Sequence, residues 1–228
     1  MVFGKKRSPS LPPVAAVDWR PVHRIMVSGY ERPETRTTKR SVMGSPAIRT
    51  PGRDEAGLIL APCAFIGRDA DTARLPDASH TLFLDEERTR LLCWVGVPRQ
   101  VDGDDHFSVH GPGGEALGAV CRVSGRLLRR HTWRIEQPGQ PEITGVGEWT
   151  RAREEAGPVG KIGSFAGQAF DALAGGDGED MAERKLVWHA GQEKVMDSRG
   201  GTVDIRAEWL DRRLAFTFAL IGDAPVPR

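Results

Sequence analysis

The chain has 228 residues, 39% of them hydrophobic and 28% charged, and a formal net charge of +1. This is the composition of a water-soluble globular protein with enough chain to bury a real core, and no apolar run reaches the ~18 residues that a bilayer-spanning segment needs. Three cysteines about thirty residues apart, with no Cys-x-x-Cys pair, exclude a disulfide framework and a zinc-finger spacing, and the 27 glycines and 16 prolines favour a β-rich architecture over a helical one.

Charge divides the chain. Residues 1–57 carry eleven Lys/Arg against five Asp/Glu, whereas the remainder is net acidic. The opening "MVFGKKRSPSLPPVAAVDW" has basic residues but no apolar run of signal-peptide length, so a cytoplasmic location is expected. Together with "ERPETRTTKRSVMGSPAIRTPGRDE" it is rich in Arg, Thr, Ser and Pro, a composition that buries little against chain entropy. Residues 1–57 are therefore expected to form a basic, mostly flexible arm, with the island Val22 to Tyr30 able to pair as a strand. Residues 1 to about 20 are expected to lack fixed tertiary contacts. Such an arm either solubilises the chain or attracts an anionic partner.

From Leu58 the pattern becomes short strands between turns. "GLILAPCAFIG" is a compact apolar run, and "HTLFLDEERTRLLCWVGV" reads as a hairpin about the charged turn Asp85 to Thr89. Phe107 and Val109 share one strand face, as do Trp133 and Ile135, with glycine and proline turns between them. "KLVWHAGQEKVMDSRGGTVDIRAEW" supplies two or three further strands. Two segments break the period of two. In "KIGSFAGQAFDALAGGDGED" apolar residues recur at helical spacing from Ile162 to Leu173 until Gly175 and Gly176, which predicts an amphipathic helix inserted at about 160–180. In "WLDRRLAFTFALIGD" the run from Leu214 to Ile221 is apolar except for Thr217. As a helix it must be surrounded by protein, being too short for lipid. The alternative is a fully buried strand of a β-sandwich.

The order "FSVHGPGGEALGAV", "TWRIEQPGQPEI" and the ending "WLDRRLAFTFALIGD" resembles the tubby-like, LURP-one-related and phospholipid scramblase superfamily over about residues 58–228. The resemblance implies a closed antiparallel barrel of about twelve strands around a buried hydrophobic C-terminal helix. It also implies no catalytic motif and a non-enzymatic role.

Motifs for chemistry are sparse. "GPVGKIGS" fails the phosphate-loop pattern at both ends, and Ser198 in "DSRGG" lacks a nucleophile elbow. His106 and His110 lie four apart beside carboxylates, but with Phe107 and Val109 facing the core both histidines fall on the solvated side. Neither a metal nor a cofactor is expected. The cysteines are expected to be buried small residues. Arg122, Arg126, Arg129 and Arg130 in "CRVSGRLLRRH" gather guanidinium groups that can hold phosphate by paired donors. The tubby members of the superfamily bind phosphoinositide head groups through basic barrel residues, but these four arginines are chosen on local grounds. Arg212 and Arg213 are expected at the mouth of the barrel. The expected ligand is an anionic membrane lipid or a phosphate-bearing molecule, with another protein as the alternative partner, and nothing favours nucleic acid.

Overall fold

The computed structural model describes residues 12–35, 40–75, 77–124, 132–147 and 185–222. In chain order these form β1 (Arg24–Arg32), β2 (Val42–Asp54), β3 (Gly57–Ile66), α1 (Asp69–Thr72), β4 (Ala78–Phe83), β5 (Leu91–Gly96), β6 (Arg99–Val101), β7 (Asp104–His110), β8 (Ala116–Val123), β9 (Thr132–Glu136), β10 (Ile143–Gly147), β11 (Lys185–Ala190), β12 (Glu193–Arg199), β13 (Thr202–Ile205) and α2 (Arg212–Ile221).

The topology is an up-and-down meander in which each strand except β5 pairs antiparallel with the next. Two further pairings close it: β1 with β13, and β5 with β7, so that twelve strands form the barrel and β6 hangs from β7 alone. The β6–β7 turn uses Asp102 and Gly103 at φ 54° and 90°. Positive φ at both central residues gives the turn whose twist matches paired strands, and Asp-Gly accepts it at low cost.

Helix α2 fills the interior. Asp211 caps it by accepting from the Arg213 N–H at 2.9 Å, and every residue from Leu214 to Leu220 is buried. The single hydroxyl in this run, on Thr217, donates to the Arg213 carbonyl at 2.9 Å and so carries no unmet donor into the core. Phe218 stands edge-on to Trp133 and Trp188, with ring centroids 5.4 and 4.5 Å away. Trp188 in turn donates its indole N–H to Ser198 Oγ at 3.2 Å, which gives the hydroxyl of "DSRGG" a structural task. Two glycines let these groups approach. A Cβ on Gly118, at φ 147°, would meet the Glu136 carbonyl oxygen at 2.1 Å and Leu214 at 3.2 Å, and one on Gly145 would meet the Trp188 ring at 2.7 Å. The apolar C-terminal run is thus the central helix and not a sandwich strand.

Part of the barrel wall is apolar on both faces. Ile48, Ala64 and Leu82 face the main core, while Ala47, Phe65 and Phe83 alternate to the opposite side and form a second small cluster with Leu91. This accounts for the unbroken burial of β3 from Leu60 to Phe65.

The flexible-arm expectation for residues 1–57 does not hold for their described part, since residues 24–54 supply two barrel strands. The arginines that made this stretch look solvated are partly buried ones. The Arg49 side chain is wholly buried and donates to the carbonyls of Ser28, Leu60 and Ser45 at 3.1, 2.8 and 2.8 Å. These bonds tie β1, β2 and β3 together where the strand register slips. Arg32 is also buried and reaches Asp54 at 2.6 Å. Nor do residues 12–20 lack contacts. The Val14 N–H donates to Glu31 at 3.2 Å, the Val17 N–H donates to the Pro62 carbonyl at 2.9 Å, and Trp19 packs edge-on to Phe216. Residues 1–11 and the helix expected at about 160–180 lie outside the described residues.

Arg212 is where the helix is fastened to the wall. Its buried guanidinium donates to the carbonyls of Val22, Ala207 and Leu210 at 2.9, 3.0 and 2.8 Å, in keeping with a structural place at the barrel mouth.

Two stability outcomes follow from this packing. Phe218→Ala removes an aromatic ring held between two tryptophans, and urea denaturation should register a loss of about 3–5 kcal/mol. Arg212→Ala leaves three buried carbonyls without their donor and should cost about 3 kcal/mol by the same measurement. Wild-type stability in either variant would contradict the packing described.

Candidate binding surface

With α2 in the interior, the accessible features lie on the wall and at its ends. Where α2 enters, Trp19, Arg20, Gln137, Glu208, Trp209 and Asp211 line a shallow open depression of about 260 Å3. A second one beside it shares Arg20, Glu208 and Arg212. Trp19 is flanked by the guanidinium groups of Arg20 and Arg213 at 5.1 and 5.4 Å from ring centroids. The charges here are mixed: Arg213 is paired with Asp211 at 2.6 Å, and Arg20 with Asp18 at 3.3 Å.

The predicted arginine group is only partly described. Arg122 lies on β8 opposite Asp105 of β7 and Trp133 of β9. Trp133 belongs to the main core, so Arg122 is on the inward register near one barrel end. The alternation that turns Val120 inward turns Arg122 inward too. Arg126, Arg129 and Arg130 lie outside the described residues. The connection that carries them leaves from Val123 and returns at Thr132, which are direct cross-strand partners.

The outer face of the same strands carries a polar cluster absent from the sequence-based candidates. Register aligns Arg99, His106, Cys121, Arg134 and Thr144 in one row across β6 to β10, and Glu136 stands two residues along β9 from Arg134. Cys121 Sγ is 3.3 Å from His106 Nδ1 and 3.8 Å from Glu136 Oε1. Arg134 Nε donates to Glu136 Oε1 at 3.0 Å and also faces Glu142 at 3.4 Å, while its Nη2 lies 3.5 Å from His106 Nε2. Covered by these neighbours, the Cys121 thiol is fully buried although it points away from the core. Burial first, and the Glu136 charge second, push its pKa up to about 11. The thiol is thus no ready nucleophile, and the second ring nitrogen of His106 faces a guanidinium where a catalytic triad would place a carboxylate.

His106 and His110 do project from the outer side, as expected, but both are half-buried rather than solvated. His110 stacks on Trp94 at 4.1 Å with rings 14° apart, and its buried Nδ1 has no hydrogen-bond partner among the described residues. Spacing along one strand suggested these two histidines as a pair. The groups that actually meet come from three strands, and the only hint of them in the sequence is the outward alternation of Arg134 and Glu136 in "TWRIE".

Comparison with protein-family models, curated proteins and solved structures found no match. No helix among the described residues is long and apolar enough to cross a membrane.

Cys63 and Cys93 are buried in the main core, and burial lifts the pKa of each to about 12 from an ordinary 9.0. With all three thiols protonated and covered, Ellman's reagent at about pH 8 should label the native protein only as fast as it opens, and should label every cysteine promptly in denaturant. Stoichiometric labelling within mixing time without denaturant would contradict the burial of these groups.

Proposed function

We propose that the chain is a non-enzymatic binding domain that works through the outside of its barrel, and that its ligand is an anionic membrane lipid or a phosphate-bearing molecule. The observation that carries this reading is the occupation of the barrel interior by α2. A barrel filled by its own helix offers no internal ligand cavity, so recognition falls to the wall and rims. The sequence between the cross-strand partners Val123 and Thr132 contains Arg126, Arg129 and Arg130, and these supply the basic group of this reading. The resemblance to the tubby-like superfamily supports the same reading, since the barrel wrapped about a helix is the architecture that it implies. One observation favours a protein partner as the second reading: Tyr30 and Met43 are direct cross-strand partners at 45% and 64% exposure, side by side on the β1–β2 hairpin.

Sedimentation with lipid vesicles distinguishes the two. Each Lys or Arg near an anionic surface contributes only about 1 kcal/mol, so no single arginine should be decisive. Binding should weaken steeply with salt, as expected where the Debye length shortens to about 8 Å. Arg126→Glu, Arg129→Glu and Arg130→Glu together should abolish sedimentation with phosphatidylserine vesicles while leaving thermal stability nearly unchanged. Equal sedimentation by the wild type and the triple variant, or none by either at low salt, would overturn the anionic-ligand reading in favour of the protein partner.

A further inference from the structure

We infer that His106, Cys121 and Glu136 form a binding site for a late first-row divalent cation of the Zn2+ type, with an open fourth position facing solvent. One ligand atom from each residue lies within 4.8 Å of the others. The two edges that involve sulfur, 3.3 and 3.8 Å, bracket the ~3.5 Å separation of ligands around a tetrahedral ion with a metal–sulfur distance of ~2.3 Å and metal–nitrogen or metal–oxygen distances of ~2.0 Å. Glu136 is 44% exposed along its side chain, so its carboxylate has room to turn and close the third edge once Arg134 releases it. A donor set of thiolate, imidazole and one carboxylate suits zinc, cobalt or copper, and is a poor match for Mg2+ or Ca2+, which take oxygen ligands in larger number.

The positions are fixed by the sheet. His106 and Cys121 are direct cross-strand partners on β7 and β8, and β9 brings Glu136 alongside. Three rigid strands therefore hold three ligands, and the ion approaches from the outer side past the half-exposed histidine and glutamate.

Arg134 is the competitor. Its Nε holds Glu136 Oε1, and its Nη2 faces His106 Nε2. Metal ligation through Nδ1 puts the imidazole proton on Nε2, which turns Arg134 away from His106, and Glu142 remains as its carboxylate partner at 3.4 Å. Binding also releases the thiol proton: the S–H bond breaks, the sulfur electron pair forms the metal–sulfur bond, and the proton passes to solvent. Apparent affinity should therefore rise about tenfold per pH unit below the thiol pKa. The site stands apart from the anionic-ligand reading, because it can be measured without vesicles and uses none of the three rim arginines.

Cobalt titration of the full, reduced chain tests it. One equivalent of Co2+ should produce a thiolate-to-cobalt charge-transfer band together with the intense visible absorption of a four-coordinate ion, and Zn2+ should displace both. Cys121→Ser should abolish the charge-transfer band. Glu136→Gln should weaken binding about tenfold or more. Arg134→Gln should strengthen it, an effect that a merely structural polar cluster would not produce. No charge-transfer band at excess cobalt, or an undiminished band in Cys121→Ser, would overturn the proposal. Should Cys121→Ser fail to fold, Glu136→Gln decides: affinity equal to that of the wild type overturns it.

Discussion

A ring of twelve strands encloses more space than its own inward side chains can fill, whereas eight strands leave an interior just wide enough for them. This mismatch governs the molecule. The wall needs an internal body, and α2 supplies it with Leu214, Phe216 and Phe218 buried to 1% exposure or less. Phe218 meets tryptophans from β9 and β11, and Arg212 binds carbonyls of the segments that flank β1 and β13. The helix thus joins strands that do not neighbour one another in the sheet. The helix takes the interior space, and the polar chemistry of the described residues is displaced to the wall and rims.

The sequence was informative wherever one face decided the structure. The all-round apolarity of Leu214 to Ile221 required an enclosed element, either a central helix or a buried strand, of which the structure has the helix, and the hairpin about Asp85 follows from its charged turn. That turn is tied by the Asp85 carboxylate, which accepts from the N–H groups of Thr89 and Arg90 at 2.8 Å each. Reading failed where charge was mistaken for solvation. Arg32 and Arg49 lie in a stretch that looks disordered by composition, but each is sheltered against the wall, Arg49 by three carbonyls and Arg32 by the Asp54 carboxylate. Composition counts charges and cannot see their partners.

The outer cluster was illegible for a different reason. His106, Cys121 and Glu136 are separated by fifteen residues at each step, with no motif to link them. Only the register of three strands makes them neighbours. The same register turns Arg122 to the inward face, which is set by Val120 and Trp133. Both findings express the strict alternation of side chains along a strand. Proximity in a sheet is a matter of partner and parity, and a linear scan has access to neither.

The position of α2 in the chain bears on how the protein is made. The segment that fills the barrel follows all thirteen strands, and the seam between β1 and β13 joins Arg24 to Asp204, which are 180 residues apart. A ribosome adding about 5–20 residues per second delivers β1 roughly ten seconds or more before α2, and β13 at most a few seconds before it. During that interval Ile48, Ala64, Leu82 and Trp133 have no helix to pack against, and the edges of the nascent sheet stay unpaired. Neither the β1–β13 seam nor the core can be completed until residues 202–221 have been made, so the barrel closes late and around its own filling.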